Sequence, residues 1–368
     1  MNEILWWFTL KSTPGIGNCL FKRLIKHFGS PKNVIEASIE ELMNVKGLSY
    51  AVSCNIKKYK IPEELKEEIN IAQKKGYRII TMNEADYPAL LLEIPDPPPF
   101  LYVYGDIPDT STSIAIVGSR NATEYGLSTA KKLAKDLAAH NIVVISGMAR
   151  GIDASAHISS ITNQGKTLAV LGSGFEHIYP YEHTELFHQI AKNGAVISEF
   201  YLNTKPNSYN FPVRNRIISG ISLGTIVIEA SLKSGALITA RLALEQGREV
   251  FAVPGSINSF KSTGAHNLLK QGAKLVETVN DILDEIIYLQ QNKFYQNKNK
   301  KNVIQKENNL SSDETIVFSS LEPYPLHIDN IADKLSMEVS KVLGVLLTLE
   351  LKGIVSQLPG TFFKLNEE

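Results

Sequence analysis

Between residues 113 and 289, short apolar runs alternate with longer stretches whose apolar positions recur every three or four residues. The runs "IAIVG" (114–118), "NIVVISG" (141–147), "TLAVLG" (167–172), "AVISEF" (195–200), "TIVIEA" (225–230) and "EVFAVPG" (249–255) are rich in β-branched residues and too short for helices. They predict buried strands. Between them, "GLSTAKKLAKDLAAH" (126–140) and "GALITARLALEQG" (235–247) predict amphipathic helices. Apolar strands alternating with helices predict an α/β fold on a doubly wound parallel sheet, with ligands at the carboxyl ends of the strands.

The pattern changes at both ends. Residues 1–60 predict a helical domain with an internal repeat: helix, tight "PGIG" turn and helix within "LWWFTLKSTPGIGNCLFKRLIKHFG", then the same layout around "KGLS" in "IEELMNVKGLSYAVSCNIKKY". This is the layout of helix-hairpin-helix (SAM-like) modules, whose hairpin amides approach a phosphate as a helix N-terminus does. Residues 61–112 hold a strand-like "RIIT" and a stretch from which Pro95, Pro97, Pro98 and Pro99 exclude helix, predicting an extended connection packed on the next domain. Residues 290–312 are almost all Asn, Gln, Lys and Ser and predict a flexible polar linker. Residues 313–368 predict three helices and the strands "IVSQL" and "TFFKL", a winged helix.

Composition restricts the setting. Cys19 and Cys54 are the only cysteines in 368 residues, so there is no disulfide framework and a reducing cytosol fits. The first residues carry an acid and no basic segment, unlike a secretory signal, and no apolar run approaches the ~20 residues of a membrane helix. The expectation is a cytoplasmic protein with no membrane partner. Lys+Arg 38 against Asp+Glu 38 gives no net charge, yet residues 1–60 hold nine basic side chains to four acidic, and residues 313–368 nine acidic to four lysines. A polyanion partner is therefore not excluded by the total.

No P-loop, zinc-ligand spacing or nucleophile elbow is present, and "GSGFEH" (172–177) ends in His177 where a dinucleotide motif has glycine. No cofactor or metal is expected, and no catalytic centre. What the strand ends do carry is suited to anions. The first strand is followed by Gly118, Ser119 and Arg120; the second by "SGMARGIDASAH" with Gly147, Arg150 and Gly151. "NFPVRNRIISG" sets Arg214 and Arg216 near a helix start beside Phe211, and "SLKSGALITA" opens a helix at Ser234 and Gly235. Arginines near a helix N-terminus oppose its dipole, which makes sense if an anion lies between them. So many donors suit a row of phosphates, with Phe211 as a stacking surface for a base.

Taken in order, "VGSRNATEYG", "VISGMARGIDASAH", "LAVLGSGFEHIYP", "ISEF", "FPVRNRIISGIS", "VIEASLKSGALITARLALEQGREVFAVPG" and "STGAHNLLKQGAKLV" closely resemble the bacterial DNA-processing protein A family (DprA, also called Smf). The resemblance covers nearly the whole chain. It implies a Rossmann-like domain that binds single-stranded DNA without catalysis, protects it in natural transformation, loads the RecA recombinase and forms a homodimer. Carried over by position, it implies single-stranded-DNA contacts from Arg120, Phe211, Arg214, Asn215 and Arg216. The family's lysine shortly before the phenylalanine has no exact counterpart: Ser208 stands near its place and Lys205 is the nearest lysine. The rival class is a phosphoribohydrolase-like enzyme acting on nucleotide phosphates, with Glu199 or Glu229 at a strand end, although "SGALIT" departs from the P-G-G-x-G-T run such enzymes use.

Overall fold

The computed structural model describes residues 3–59, 63–286, 311–321, 325–352 and 354–365. Nine strands form one sheet: β1 (Arg78–Thr81), β2 (Phe100–Gly105), β3 (Ser113–Gly118), β4 (Val143–Ser146), β5 (Thr167–Val170), β6 (Ala195–Ser198), β7 (Gly224–Ile228), β8 (Glu249–Ala252) and β9 (Lys274–Leu275). Their order is β1-β2-β6-β5-β4-β3-β7-β8-β9. The neighbours from β6 through to β9 pair in parallel, while β1–β2 and β2–β6 are antiparallel. The sheet is mostly parallel and Rossmann-like.

The chain runs from β3 outwards to β6, then returns to the other side of β3 for β7. That reversal puts a crevice at the carboxyl ends of β3 and β7. Every residue of β4, β5, β6 and β7 is buried, as expected for strands covered on both faces. Helices Glu124–Ala139 and Ile152–Thr162 pack against each other, as do Asn210–Ile221 and Gly235–Glu245.

The stretch 61–112, expected to be an extended connection, adds its two strands to this sheet. Ile80 and Thr81, on opposite faces of β1, are both buried, and the prolines lie between β1 and β2 rather than within them, where each would remove a ladder bond.

The N-terminal region is helical throughout, and its repeat closes on itself. Gly15 and Gly47 sit at the two hairpin turns with φ of +92° and +90°. Asn55 Nδ2 donates to the Pro14 carbonyl at 3.1 Å, and Arg23, at the equivalent place in the first copy, donates to the Lys46 carbonyl at 3.2 Å. Each hairpin is thereby braced by the other copy's second helix. These helices share one hydrophobic core with the sheet, and residues 1–285 form one compact unit. Phe8 on the helix Glu3–Ser12 stacks on Phe100 of β2 at 4.3 Å and meets Tyr102 edge-on.

A second unit, residues 286–368, holds the winged helix. Helices Ser312–Ser320, Ile328–Leu335 and Val339–Leu351 pack around Val317, Ile331, Leu346 and Phe363. The expected strands are β11 (Val355–Leu358) and β12 (Phe362–Leu365), joined by β10 (Leu326–His327) in the order β10-β12-β11. Most of the expected linker lies outside the described residues. Its last two positions instead open the first helix, where Ser311 and Glu314 form a reciprocal cap.

Phe8→Ala removes a fully buried ring at the join between the helical region and β2. It should cost about 3–5 kcal/mol, the range for emptying an aromatic core site, measured as a lower urea midpoint.

Candidate functional site

The loops after the strands from β3 to β8, with the start of the helix Asn210–Ile221, line an open cavity of about 860 Å³ at the crevice. The helix Asn210–Ile221 shapes it by periodicity: Phe211, Arg214, Asn215 and Ile218, spaced i, i+3, i+4 and i+7, all line the cavity. Phe211 lies over Gly172, where an added Cβ would come within 2.7 Å of the ring. Tyr179 packs against it at 5.5 Å, and the Arg120 guanidinium sits 5.3 Å from its centroid. Arg120 is exposed, on a loop whose end is fixed by Thr123, the N-cap of the helix Glu124–Ala139.

Arg214 is different. It is buried, and its guanidinium donates to the carbonyls of Gly147 (2.8 Å) and Val170, at the ends of β4 and β5. Asp153 faces it, accepting from the amides of Gly147 at 3.1 Å and Ala149 at 3.4 Å. Burial lowers the Arg214 pKa to about 10 and raises that of Asp153, each against the pull of the other charge. Arg214 remains a cation at neutral pH, with one edge on the cavity.

The cavity therefore gathers Gly118, Ser119, Arg120, Phe211, Arg214, Asn215, Ser234 and Gly235. Ser234 caps its helix by accepting from the Ala236 amide, and that helix start opens onto the cavity. The remaining predicted residues do not line it. The turn through Gly147, Arg150 and Gly151 was read as an anion cradle, but Asp153 takes its Gly147 and Ala149 amides. Arg150 pairs with Glu182 at the surface. Lys205 is exposed, and its carbonyl accepts from Asn210.

Arg216 was expected to share an anion with Arg214. Two residues apart on a helix point to opposite sides, and Arg216 lies buried with Glu199 and Asp96, donating to the Asp96 carbonyl at 2.6 Å. Glu199 is pushed up by burial, and burial lowers Lys11 beside it. His157 and Asp153, one turn apart, are also engaged separately: His157 Nδ1 bonds Thr167 Oγ1 at 2.7 Å. Tyr179, Phe260 and Lys261 line the cavity and were missed. The one signal for the last two was their place in the loop following "EVFAVPG", a strand end like the others.

Residues 78–287 match the DNA recombination-mediator protein A family, and residues 305–361 match the DprA winged helix domain. The chain belongs to the DprA family. It is 33% identical over 392 residues to Protein Smf of Synechocystis sp., covering 98% of each chain. It is 44% identical over 216 residues to the DNA processing protein DprA of Bacillus subtilis, 58% of this chain and 73% of that one. The X-ray structure of DprA from Streptococcus pneumoniae superposes with a TM-score of 0.64 at 32% identity, covering 77% of this chain and 96% of that one. DprA from Helicobacter pylori, solved for its single-stranded DNA binding mode, gives 0.52 at 29% identity over 58% and 96%.

His157 provides a pH test of this framework. Burial first, then His183 and Arg214, depress its pKa from 6.5 to about 3, so the folded protein keeps it neutral. Its contribution to stability is full above the unfolded value of 6.5 and is lost progressively as pH falls towards 3. Urea midpoints should drop between about pH 7 and about pH 5, and His157→Gln should flatten that part of the profile.

Proposed function

We propose that this protein binds single-stranded DNA in the crevice cavity without sequence preference. One observation carries the reading: an exposed guanidinium, Arg120, is held against an aromatic face, Phe211, at the mouth of a crevice lined by a helix N-terminus. Arginine grips phosphate bidentately, the ring offers any base a stacking surface, and the helix start adds positive potential. The H. pylori relative, described by its single-stranded DNA binding mode, supports it.

In this reading the protein shields incoming single strands during natural transformation and loads the RecA recombinase onto them, working as a homodimer through its sheet unit; these three roles rest on the family resemblance. Arg216 drops out as a direct contact, Lys205 stands exposed next to the cavity-lining Pro206 as a peripheral one, and Arg214 acts chiefly by shaping the cavity. The nucleotide-hydrolase alternative loses its candidate acids. Glu229 accepts from Thr123 N at 2.9 Å and from its hydroxyl, and Glu199 is paired with Arg216. The winged helix is assigned to protein contact: two of its four lysines, Lys341 and Lys352, already pair with Asp313 and Glu314, leaving little to neutralise a duplex backbone.

Fluorescence anisotropy with oligonucleotides should show affinity falling with salt, at a slope of about −0.7 per phosphate contacted. Arg120→Ala should cost about 1.5–3 kcal/mol, as for a hydrogen bond to a charged group. Phe211→Ala should cost about 1–3 kcal/mol. Salt-independent binding, or wild-type affinity in both variants, refutes the assignment. A nucleoside-monophosphate hydrolysis assay on the same sample separates the enzyme reading.

For the dimer, light scattering of the full chain at micromolar concentration should give twice the mass of one chain. A monomer there removes the avidity that two aligned sites would supply.

A further inference from the structure

The loop after β8 is pinned at several points. Tyr125 Oη donates to the Pro254 carbonyl at 2.8 Å, Ser259 Oγ accepts from the Lys261 amide at 3.3 Å, and the Gly264 amide donates to Ala230 at 2.7 Å. The Lys261 ammonium crosses the crevice to donate to the Asn121 carbonyl at 2.5 Å, on the loop that carries Arg120. On this anchored loop Phe260 is 70% exposed and lines the cavity. Phe211 packs over the end of β5, and β4, β3 and β7 separate β5 from β8. The two aromatic side chains therefore arise on opposite sides of the crevice. An exposed aromatic and a cation, neighbours in sequence, thus line the same cavity as the Phe211–Arg120 pair and add a second ring and a second charge to it.

We infer that Phe260 and Lys261 form a second base-and-phosphate subsite, so that one single strand crosses the crevice from the Phe211–Arg120 platform to the Phe260–Lys261 platform. The inference rests on the single-stranded DNA reading above and specifies the path of the strand. A base stacks on Phe260, and the Lys261 ammonium, which has three donors and gives one to Asn121, meets a phosphate between the platforms.

The test uses the full chain and thymidine oligonucleotides from a dinucleotide to a dodecanucleotide. Phe260→Ala should weaken the long oligonucleotides roughly 5- to 150-fold, the loss of one stacked base, and leave the shortest bound as in the wild type. Lys261→Gln should reduce the salt slope for long oligonucleotides by about 0.7. Phe260→Trp should report stacking as fluorescence quenched by the dodecanucleotide, read above the background of Trp6 and Trp7. Wild-type affinity for long oligonucleotides in Phe260→Ala, with no quenching in Phe260→Trp, overturns the subsite while the first platform stands. A change in self-association of Phe260→Ala with DNA affinity intact also overturns it, placing the ring in a protein interface. If the wild type binds no oligonucleotide, the underlying reading fails as well.

Discussion

Arg214 carries a charge into the protein interior beside the crevice, and the strand ends around it are arranged to make that tolerable. A guanidinium moved out of water loses several kcal/mol of hydration unless it is paired and hydrogen-bonded. Here the Gly147 and Val170 carbonyls and the facing Asp153 replace the lost water. The consequence is rigidity: Arg214 ties the helix Asn210–Ile221 to the ends of β4 and β5, and Asp153 ties the helix Ile152–Thr162 to the same turn after β4. Removing one partner of such a pair leaves an unpaired buried charge, at a cost of about 3–5 kcal/mol. Phe211, one turn earlier on the same helix face, takes its position over Gly172 from that brace.

The opposite face of this helix is held just as firmly. Arg216 reaches Glu199 and Asp96, and Asn18 Nδ2 approaches both the Asp96 carbonyl and Glu199 at 3.5 Å. The helix is thus clamped between strand ends on one side and the N-terminal helical region on the other. Lys22, donating to the carbonyls of Leu92 and Ile94 at 2.7 Å, secures the same region to the segment before β2. The helical region is in this way part of the support of the crevice, and it continues the sheet's core through the rings of Phe8, Phe100 and Tyr102.

With four arginines of the sheet unit already held by protein partners, the charged side chains that face the crevice define its chemistry. Arg150, Arg214, Arg216 and Arg248 all have protein partners. Arg120 faces the solvent with an aromatic beneath it. An overall charge of zero therefore says little about ligands, because what a ligand meets is set by the charges that face the crevice.

The six strands from β3 to β8, the helices within 126–140 and 235–247, the helical repeat and the winged helix were legible from local pattern, whereas the joining of β1 and β2 to the sheet and the helix Glu63–Lys74 were not. Apolar run length and period reflect burial directly, and each element's own residues carry that signal. So did Arg120 and Phe211, because strand ends of a doubly wound sheet converge whatever the details. The roles of Arg214 and Arg216 could not be read in the same way. Both are arginines in one motif, and their difference comes from residues 44 and 17 positions away in the chain, Val170 and Glu199, that meet them only after folding. The turn at Gly147–Gly151 looked free for the same reason, since nothing in its sequence shows that Asp153 folds back onto its amides. Nor could the sequence join Phe260 and Lys261 to Arg120, about 140 residues away, because that meeting depends on β7 and β8 crossing to the far side of β3. Local sequence determined which elements form; which charges are spent inside and which face the crevice was decided by packing, because desolvation and pairing exist only once the distant strands are brought together.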